Sequence, residues 1–435
     1  MKIFIKTFGC QMNKLDSELV LGRFLEKGYS AAKSELDADV ILINTCSVRL
    51  HAEDRAYSVA GSLKPLKKKK PNLRIGIIGC MAQKDKDAII KKLPHIDIVC
   101  GTYELHLLPE LVEKSFAKPV VAVDEIETSI DPQERTKISG KNGFQSFLSI
   151  MRGCNCKCSY CIVPSVRGDE ICRAPEDVCA ELASLARNGC LEATLLGQNI
   201  TSYKYKAGGK ASTLADLLRM ADKVEGVKRI RFITSHPAFV TEDLFRAINE
   251  TEKVCEFFHV PAQTGSNRLL KDMRRGYTKE RYLEMVELGR RIAPEIEFAS
   301  DFIVGYPGET DADFEQTVDL MKQARFAGSF IFKYSPRPGT ISADMQDDVP
   351  IKVKKERNQV LLKLQAEISL EKNRALIGKE VEILVEGKSR IDASKQTGRT
   401  RQNQIVAVES AENQTGKLVT VSITDCTALT LFGAV

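Results

Sequence analysis

The sequence predicts an α/β protein of three units: a doubly wound parallel sheet, then a partial TIM-like barrel, then a small β-barrel. Three observations predict this. Short β-rich runs alternate with helical stretches to about residue 370, a stretch rich in Pro, Gly and charge interrupts the alternation once, and helical periodicity stops beyond it. A length of 435 residues agrees with about three domains at roughly 150 residues each.

Residues 1–124 form the first unit, with strand candidates at 3–5, 40–43, 75–78, 96–99 and 120–123 separated by helical segments, the pattern of a parallel sheet. Residues 125–143 (EIETSIDPQERTKISGKNG) lose apolar periodicity and read as a linker. In the second unit, 144–370, strand candidates at 147–150, 193–196, 230–233, 257–260, 298–304 and 330–334 make six βα units of a barrel. Amphipathic helices are expected at 175–188, opened by Pro175, and at 311–327, and a long charged helix over 352–375 closes the unit. The third unit, 371–435, alternates apolar and polar residues at 381–385, 404–408 and 418–423, as a small antiparallel barrel does.

A composition of 43% hydrophobic and 28% charged residues excludes wholesale disorder and fibrous architecture. The N-terminus reaches Gly9, Cys10 and Gln11 before an apolar export core can form, and no window approaches a membrane span, so a cytoplasmic protein without membrane contact is expected. Thirteen cysteines there should stay reduced, which favours metal ligation or redox chemistry over disulfides. The net charge of +6 permits an anionic partner without requiring one.

After the first barrel strand come Cys154, Cys158 and Cys161, spaced C-x3-C-x2-C. Three thiolates on one short loop can hold three irons of a cubic iron-sulfur cluster and leave the fourth open. The alternative is a zinc knuckle with Cys156 or Cys172 as its fourth ligand. Cys156 crowds its neighbours and interrupts the spacing, so it and Cys172 are placed outside the cluster, as small hydrophobes. Five polar groups each follow a strand candidate: Gly197-Gln198-Asn199, Ser235-His236-Pro237, the set Pro261, Gln263, Gly265 and Ser266, and the stretches 305–309 and 335–339. In a parallel barrel all of them open onto one face. His236 and His259 read as hydrogen-bonded scaffold, and no acid or base is named. In the first unit Cys10, Cys46 and Cys80 also follow strand candidates and could hold another cluster. Ordinary burial explains them equally well, since Cys100 follows a strand too.

With its three-cysteine loop the chain resembles the radical S-adenosylmethionine enzymes, and through FGCQMNKLDSE, INTCSVR and IGCMAQ it resembles their methylthiotransferase family over essentially its whole length. The resemblance implies a radical-SAM partial barrel at the centre, a TRAM-like RNA-binding barrel at the C-terminus, and two 4Fe-4S clusters. One cluster, on Cys154, Cys158 and Cys161, would bind S-adenosyl-L-methionine at its open iron and yield a 5′-deoxyadenosyl radical on one-electron reduction. The auxiliary cluster, on Cys10, Cys46 and Cys80, would carry the sulfur. Gly197, Gln198, Asn199 and Gln263 are then expected at the cofactor, the neutral amides donating and accepting without adding charge. The implied partners are tRNA, an electron donor such as a flavodoxin or ferredoxin, and a sulfur or cluster-assembly donor.

LLGQNITSY, YSPRPGT and GRTRQNQIV are most similar to the branch acting on N6-isopentenyladenosine beside the tRNA anticodon. The branch acting on N6-threonylcarbamoyladenosine shares the cluster motifs, and a third modifies a ribosomal-protein aspartate. A rival of another class is a noncatalytic, zinc-stabilised RNA-binding protein. HVPAQTGS departs from the usual HLPVQSGS, Ala174 stands where the family has Pro, and Cys172 stands where it has Ser. Arg275 and Arg337 are expected at the RNA, as are Arg399 and Arg401 in a tail where five basic residues oppose one acid between 387 and 401. The basic segment 204–210 is expected as a flexible loop, either a further hold on tRNA or a solvated turn without a role.

Overall fold

A computed structural model describes residues 1–47, 50–123 and 143–435. All but the last residue of the expected linker lies outside the described residues.

The first unit is a six-stranded parallel sheet of β1 (Lys2–Phe8), β2 (Ser30–Ala31), β3 (Val40–Thr45), β4 (Arg74–Ile78), β5 (Ile98–Cys100) and β6 (Val120–Ala122), in the order β2-β1-β3-β4-β5-β6. Every residue of β3 and β4 is buried because helices cover both faces. Val40 and Leu42 pack with Val20, Phe24 and Leu108 on one side, while Ile41 and Ile43 pack with Ala56, Ala60 and Met81 on the other. The order reverses between β1 and β3, which opens a crevice at their carboxyl ends. The two-residue β2 has no apolar run and escaped the sequence pattern.

In the second unit β7 (Gln145–Ser149) leads into a short ribbon of β8 (Met151–Arg152) with β9 (Ile171–Cys172), then β10 (Glu192–Leu196). Here the expected basic loop is instead a hairpin, β11 (Lys204–Ala207) with β12 (Lys210–Thr213). Gly208 and Gly209 make its two-residue turn at φ of +56° and +78°, backbone that only glycine adopts without strain. The barrel continues through β13 (Arg229–Phe232), β14 (Phe257–His259), β15 (Glu297–Val304) and β16 (Gly328–Lys333). β7, β10 and β13 form one parallel sheet and β14, β15 and β16 another, joined by a bridge between Ile230 and Val254. No ladder joins β16 to β7 among the described residues, so the barrel is partial.

The helices at Pro175–Arg187, Asp311–Ala324 and Ile351–Arg374 match expectation within a few residues. Asp311–Ala324 ends early because Arg325 turns left-handed at φ +48°. Ile351–Arg374 is fastened to the barrel by polar contacts: Arg357 to Glu309 at 2.6 Å, Asn358 to Ile331 O and Gln365 to Phe326 O, each at 2.9 Å.

The third unit is a closed barrel, β17 (Glu380–Lys388), β18 (Gln396–Thr400), β19 (Ile405–Glu409), β20 (Leu418–Cys426) and β21 (Thr430–Ala434), in the order β17-β18-β19-β21-β20. It departs from the all-antiparallel expectation in one place, since β19 and β21 pair in parallel.

Asp313 shows how one side chain organises this scaffold. It forms a reciprocal capping box with Thr310, accepts from Ser266 Oγ at 2.5 Å and pairs with Arg268. Burial acts against its charge, but these donors prevail and hold the carboxyl below its ordinary range. Asp313→Asn is therefore expected to lower stability by about 1–3 kcal/mol near neutral pH. A depressed folded-state pKa means the advantage is present above the unfolded value of about 4 and lost as pH falls below it. Because the loss is complete only once pH falls through the folded value, thermal melts of both proteins from pH 3 to 7 should show their difference narrowing toward the acid end.

Candidate active site

The three-cysteine loop leaves β8 through Gly153 and ends in the helix Val163–Arg167. Gly153 has φ +76°, and a Cβ there would lie 1.8 Å from Asp169 O. Gly153 N donates to Gln198 Oε1 at 2.6 Å, Cys154 N donates to Gly168 O at 3.0 Å, and Ser159 Oγ donates to Asp272 O at 2.9 Å. Cys154 and Cys158 are buried. A hydrogen bond from Cys156 lowers the Cys154 thiol, and the same contact raises Cys156, which makes Cys156 the proton donor of that pair. Burial pushes the Cys161 thiol up to about 12.

Arg275, expected at the RNA, is instead 5% exposed, because its three nitrogens are used inside. It donates to Cys158 Sγ at 3.4 Å, Pro261 O at 2.9 Å and Tyr277 Oη at 3.2 Å. No carboxylate pairs with it among the described residues, so the metal-ligating atom within its reach is Cys158 Sγ. That buried cation fits a negatively charged three-thiolate group. Among the described residues no three His, Cys, Asp or Glu side chains converge tightly enough for a single metal ion. A cubic cluster places each thiolate on a different iron, and its ligands stand further apart than those of a closed zinc site.

Of the other residues expected at the cofactor, Gln198 and Asn199 touch this loop. A Cβ on Gly197 would meet Met151 Cγ at 2.6 Å, so the chain crosses β8 there only as glycine. Asn199 is buried and donates to Cys156 Sγ at 3.6 Å. Gln263 holds a left-handed backbone at φ +70° and Thr234, after β13, one at φ +73°. Such strain in a β-branched residue gathers at functional sites. His236 caps the turn Pro237–Phe239 and is pushed down to about 3 by burial and then by Arg275, so it is neutral scaffold.

In the first unit Cys10 follows β1 and precedes the helix Gln11–Glu26, Cys46 follows β3, and Cys80 opens the helix Cys80–Asp85 after β4. Because β1, β3 and β4 are neighbours, the three thiols meet at the crevice of the sheet. A hydrogen bond with Cys46 lowers the Cys10 thiol, and the Arg167 charge helps. A Cβ on Gly9 would lie 2.4 Å from Cys46 Cβ, so only glycine lets these residues approach. Cys100 instead points into the apolar core with Val20 and Phe24, donating only to Gly101 O at 3.6 Å.

The two thiol sets adjoin. Cys80 packs with Ile162 and Val166 of the barrel loop, and Arg167 Nε donates to Cys80 Sγ at 3.2 Å. Arg337 is half-buried, donates to Ser335 Oγ at 3.2 Å, and its charge reaches Glu53 and Cys46 of the first unit. Arg399 and Arg401, expected at the RNA, each hold an acid. Arg399 pairs with Glu386 at 3.3 Å, and Arg401 grips Glu256 through Nε at 2.8 Å and Nη2 at 2.6 Å, which docks the third unit onto the second.

Family models match three parts of the chain: the uncharacterized protein family UPF0004 at residues 2–101, the radical SAM superfamily at 148–321 and the TRAM domain at 374–435. A curated tRNA-2-methylthio-N(6)-dimethylallyladenosine synthase from Thermoanaerobacter pseudethanolicus is 44% identical over 99% of this chain and 91% of its own length. The chain belongs to that synthase family. Another member, from Carboxydothermus hydrogenoformans, is 44% identical over 97% of this chain and 96% of its own. Membership makes the chain a radical S-adenosylmethionine methylthiotransferase, a chemistry that calls for a 4Fe-4S cluster and S-adenosylmethionine. Among solved structures, the radical S-adenosylmethionine methyltransferase TsrM from Kitasatospora setae matches with a TM-score of 0.57 at 15% identity, over 79% of this chain and 77% of that one, a likeness of fold.

Sequence reasoning missed the buried polar residues around the first-unit thiols. Asn13 Nδ2 donates to Asn44 Oδ1 at 2.9 Å, and Asp16 accepts from Arg167 Nη2 at 2.6 Å. Their signal was present in FGCQMNKLDSE, where Asn13 and Asp16 stand on the same buried helix face as Met12 and Leu15. Gly153→Ala is expected to lose iron from the barrel loop as fully as replacement of a cysteine, read as iron and sulfide content after anaerobic reconstitution.

Proposed function

We propose that the chain methylthiolates C2 of N6-isopentenyladenosine beside the anticodon of tRNA. On this reading residues 144–370 hold the S-adenosylmethionine cluster on Cys154, Cys158 and Cys161, with Gly197, Gln198, Asn199 and Gln263 at the cofactor. Residues 1–124 hold a second 4Fe-4S cluster on Cys10, Cys46 and Cys80, and residues 371–435 meet RNA. The observation that carries the reading is two three-thiol sets in contact across Cys80, Ile162 and Val166, in a chain 44% identical along its whole length to named synthases.

When bound, the clusters and S-adenosylmethionine supply a carbon radical able to open an unreactive C–H bond, together with the sulfur and methyl delivered there. The protein's own residues position and shield. Arg275 neutralises thiolate charge beneath the barrel loop, Gln198 holds that loop by Gly153, and the contact of Cys80 with Ile162 and Val166 keeps water from between the two sets.

An apolar surface favours the prenylated base. Ser329 and Ile331 of β16 turn toward the helix Ile351–Arg374, which leaves Phe330 and Phe332 on the other side, stacked and exposed by 61% and 40%. Phe330 also meets His259, which bonds Asp301 at 2.8 Å. A hydrocarbon chain gains by covering these rings, and a threonylcarbamoyl carboxylate does not. Phe330→Ser is expected to raise KM for prenylated tRNA several-fold and leave S-adenosylmethionine cleavage unchanged.

The reaction needs an electron donor of the flavodoxin or ferredoxin class and a source of sulfur, in the cytoplasm where tRNA is modified. No described helix is long and apolar enough to cross a membrane. The deciding experiment is mass spectrometry of nucleosides after anaerobic incubation of reconstituted protein with S-adenosylmethionine, reductant and tRNA bearing either modified adenosine. A methylthio mass gain on isopentenyladenosine alone is expected. Gain only on threonylcarbamoyladenosine would reassign the substrate, and no gain with 5′-deoxyadenosine still released would point to the ribosomal-protein branch.

A further inference from the structure

We propose that Arg167, which the barrel's cysteine loop extends into the first unit, is a positioning residue that donates to the sulfur side of the Cys10, Cys46 and Cys80 cluster and sets its reduction potential. The proposal rests on the reading of those three thiols given above. Arg167 ends the short helix after Cys161, yet its guanidinium lies among first-unit groups. Nε donates to Cys80 Sγ at 3.2 Å, and Nη2 donates to Asp16 Oδ2 at 2.6 Å. The Arg167 side chain is 4% exposed and that of Asp16 0%. Nη1 of the same guanidinium is buried with no acceptor among the described residues, and an unmade bond there is expensive unless a further acceptor belongs in the cage. Cys10 and Cys80 are the other charged partners around it, and sulfur of a group bound by them is the acceptor the cage lacks.

Asp16 completes the device. It stands on the helix that Cys10 precedes, and its Oδ1 lies 3.9 Å from Arg152 Nη2. Arg152 and Arg167 flank the barrel's cysteine loop on its two sides, so one buried carboxylate of the first unit is held between both ends of that loop. Through Arg167 Nε the guanidinium brings an N–H donor with positive charge directly to Cys80 Sγ. Hydrogen bonds to sulfur, local charge and solvent exclusion are the terms that set an iron-sulfur potential. A buried N–H donor carrying positive charge favours the electron-richer state, so Arg167 raises the potential. The first-unit site is then complete only when the barrel loop is docked on it.

The test uses the full chain with Cys154, Cys158 and Cys161 replaced by Ala, so that bound iron belongs to the first unit. After anaerobic reconstitution, iron and sulfide content and an EPR-monitored redox titration are compared with and without Arg167→Gln or Arg167→Lys. The expected result is retained iron with the one-electron reduction equilibrium of the Gln variant shifted at least tenfold against reduction, 59 mV for one electron. The Lys variant, charged but without the fork that reaches Cys80 and Asp16 together, should fall between. An unchanged potential in an iron-retaining variant overturns the proposal, because a residue that merely packs would leave it unmoved. If the Gln variant holds no iron, the Lys variant decides by the same two outcomes. Should the parent hold no iron that Cys80→Ala then removes, the assignment of the first-unit thiols is what fails, and the proposal falls with it.

Discussion

Replacing Cys154, Cys158 or Cys161 by Ala is expected to reduce release of 5′-deoxyadenosine from S-adenosylmethionine to the uncatalysed background, while replacing Cys10, Cys46 or Cys80 leaves that release in place and removes the methylthiolated nucleoside. The contrast follows from where the thiols stand. The first three share one loop built on Gly153 and held by Gln198, Ser159 and Arg275. The second three belong to separate strands of another sheet, and their supports are Asn13, Asn44 and Arg167. Loss of one first-unit thiol leaves the barrel loop's own bonds intact. Paired assays of 5′-deoxyadenosine and modified nucleoside on all six variants check the division, and loss of both products in the Cys10 or Cys46 variants would refute it.

Arg229→Met is expected to lower stability by about 3 kcal/mol, near the lower end for breaking a buried pair because its partner Glu382 is half exposed. Arg229 is 1% exposed and bridges two units from the start of β13. It donates to Arg399 O at 2.8 Å, Glu382 O at 3.1 Å and Glu382 Oε1 at 2.8 Å. Methionine fills a similar volume and withdraws a donor from two part-buried carbonyls and from the Glu382 carboxylate. Arg231, which bonds Thr400 O and Arg401 O, and Arg401, which grips Glu256, would still hold the third unit in place. The loss should therefore appear in calorimetry as an earlier, separate transition for residues 371–435, with faster amide exchange in β17 and β18. A single transition at the wild-type temperature would count against this role.

The strands that sequence patterning found have apolar residues on a helix-covered face, such as β3 and β15, or alternate them toward a barrel core, such as β17 and β20. It missed β18, whose QTGRT has no apolar alternation and whose Gly398 lets the chain pass Leu384 O, where a Cβ would come within 2.5 Å. Both cysteine sets were visible because each follows a strand end, and strand ends gather in parallel folds. What stayed hidden was charge that crosses between units. Arg275 and Arg401 read as RNA contacts because an arginine's partner in three dimensions leaves no trace in linear spacing. Asp16 and Arg167, 151 positions apart in the chain, were unreadable as a pair for the same reason.

The third unit fastens to the beginnings of the barrel strands, through Gln145, Arg229 and Glu256, whereas both thiol sets lie at the strands' far ends. β15 runs eight residues between those ends, about 26 Å at ~3.3 Å per residue. An RNA that touches both ends at once must bridge that length outside the barrel wall, and a free nucleoside cannot. On the proposed reading, in which residues 371–435 meet RNA, the spacing between the two ends of the barrel is a ruler set by strand length, and a base reaches the thiols as part of a body long enough to span it.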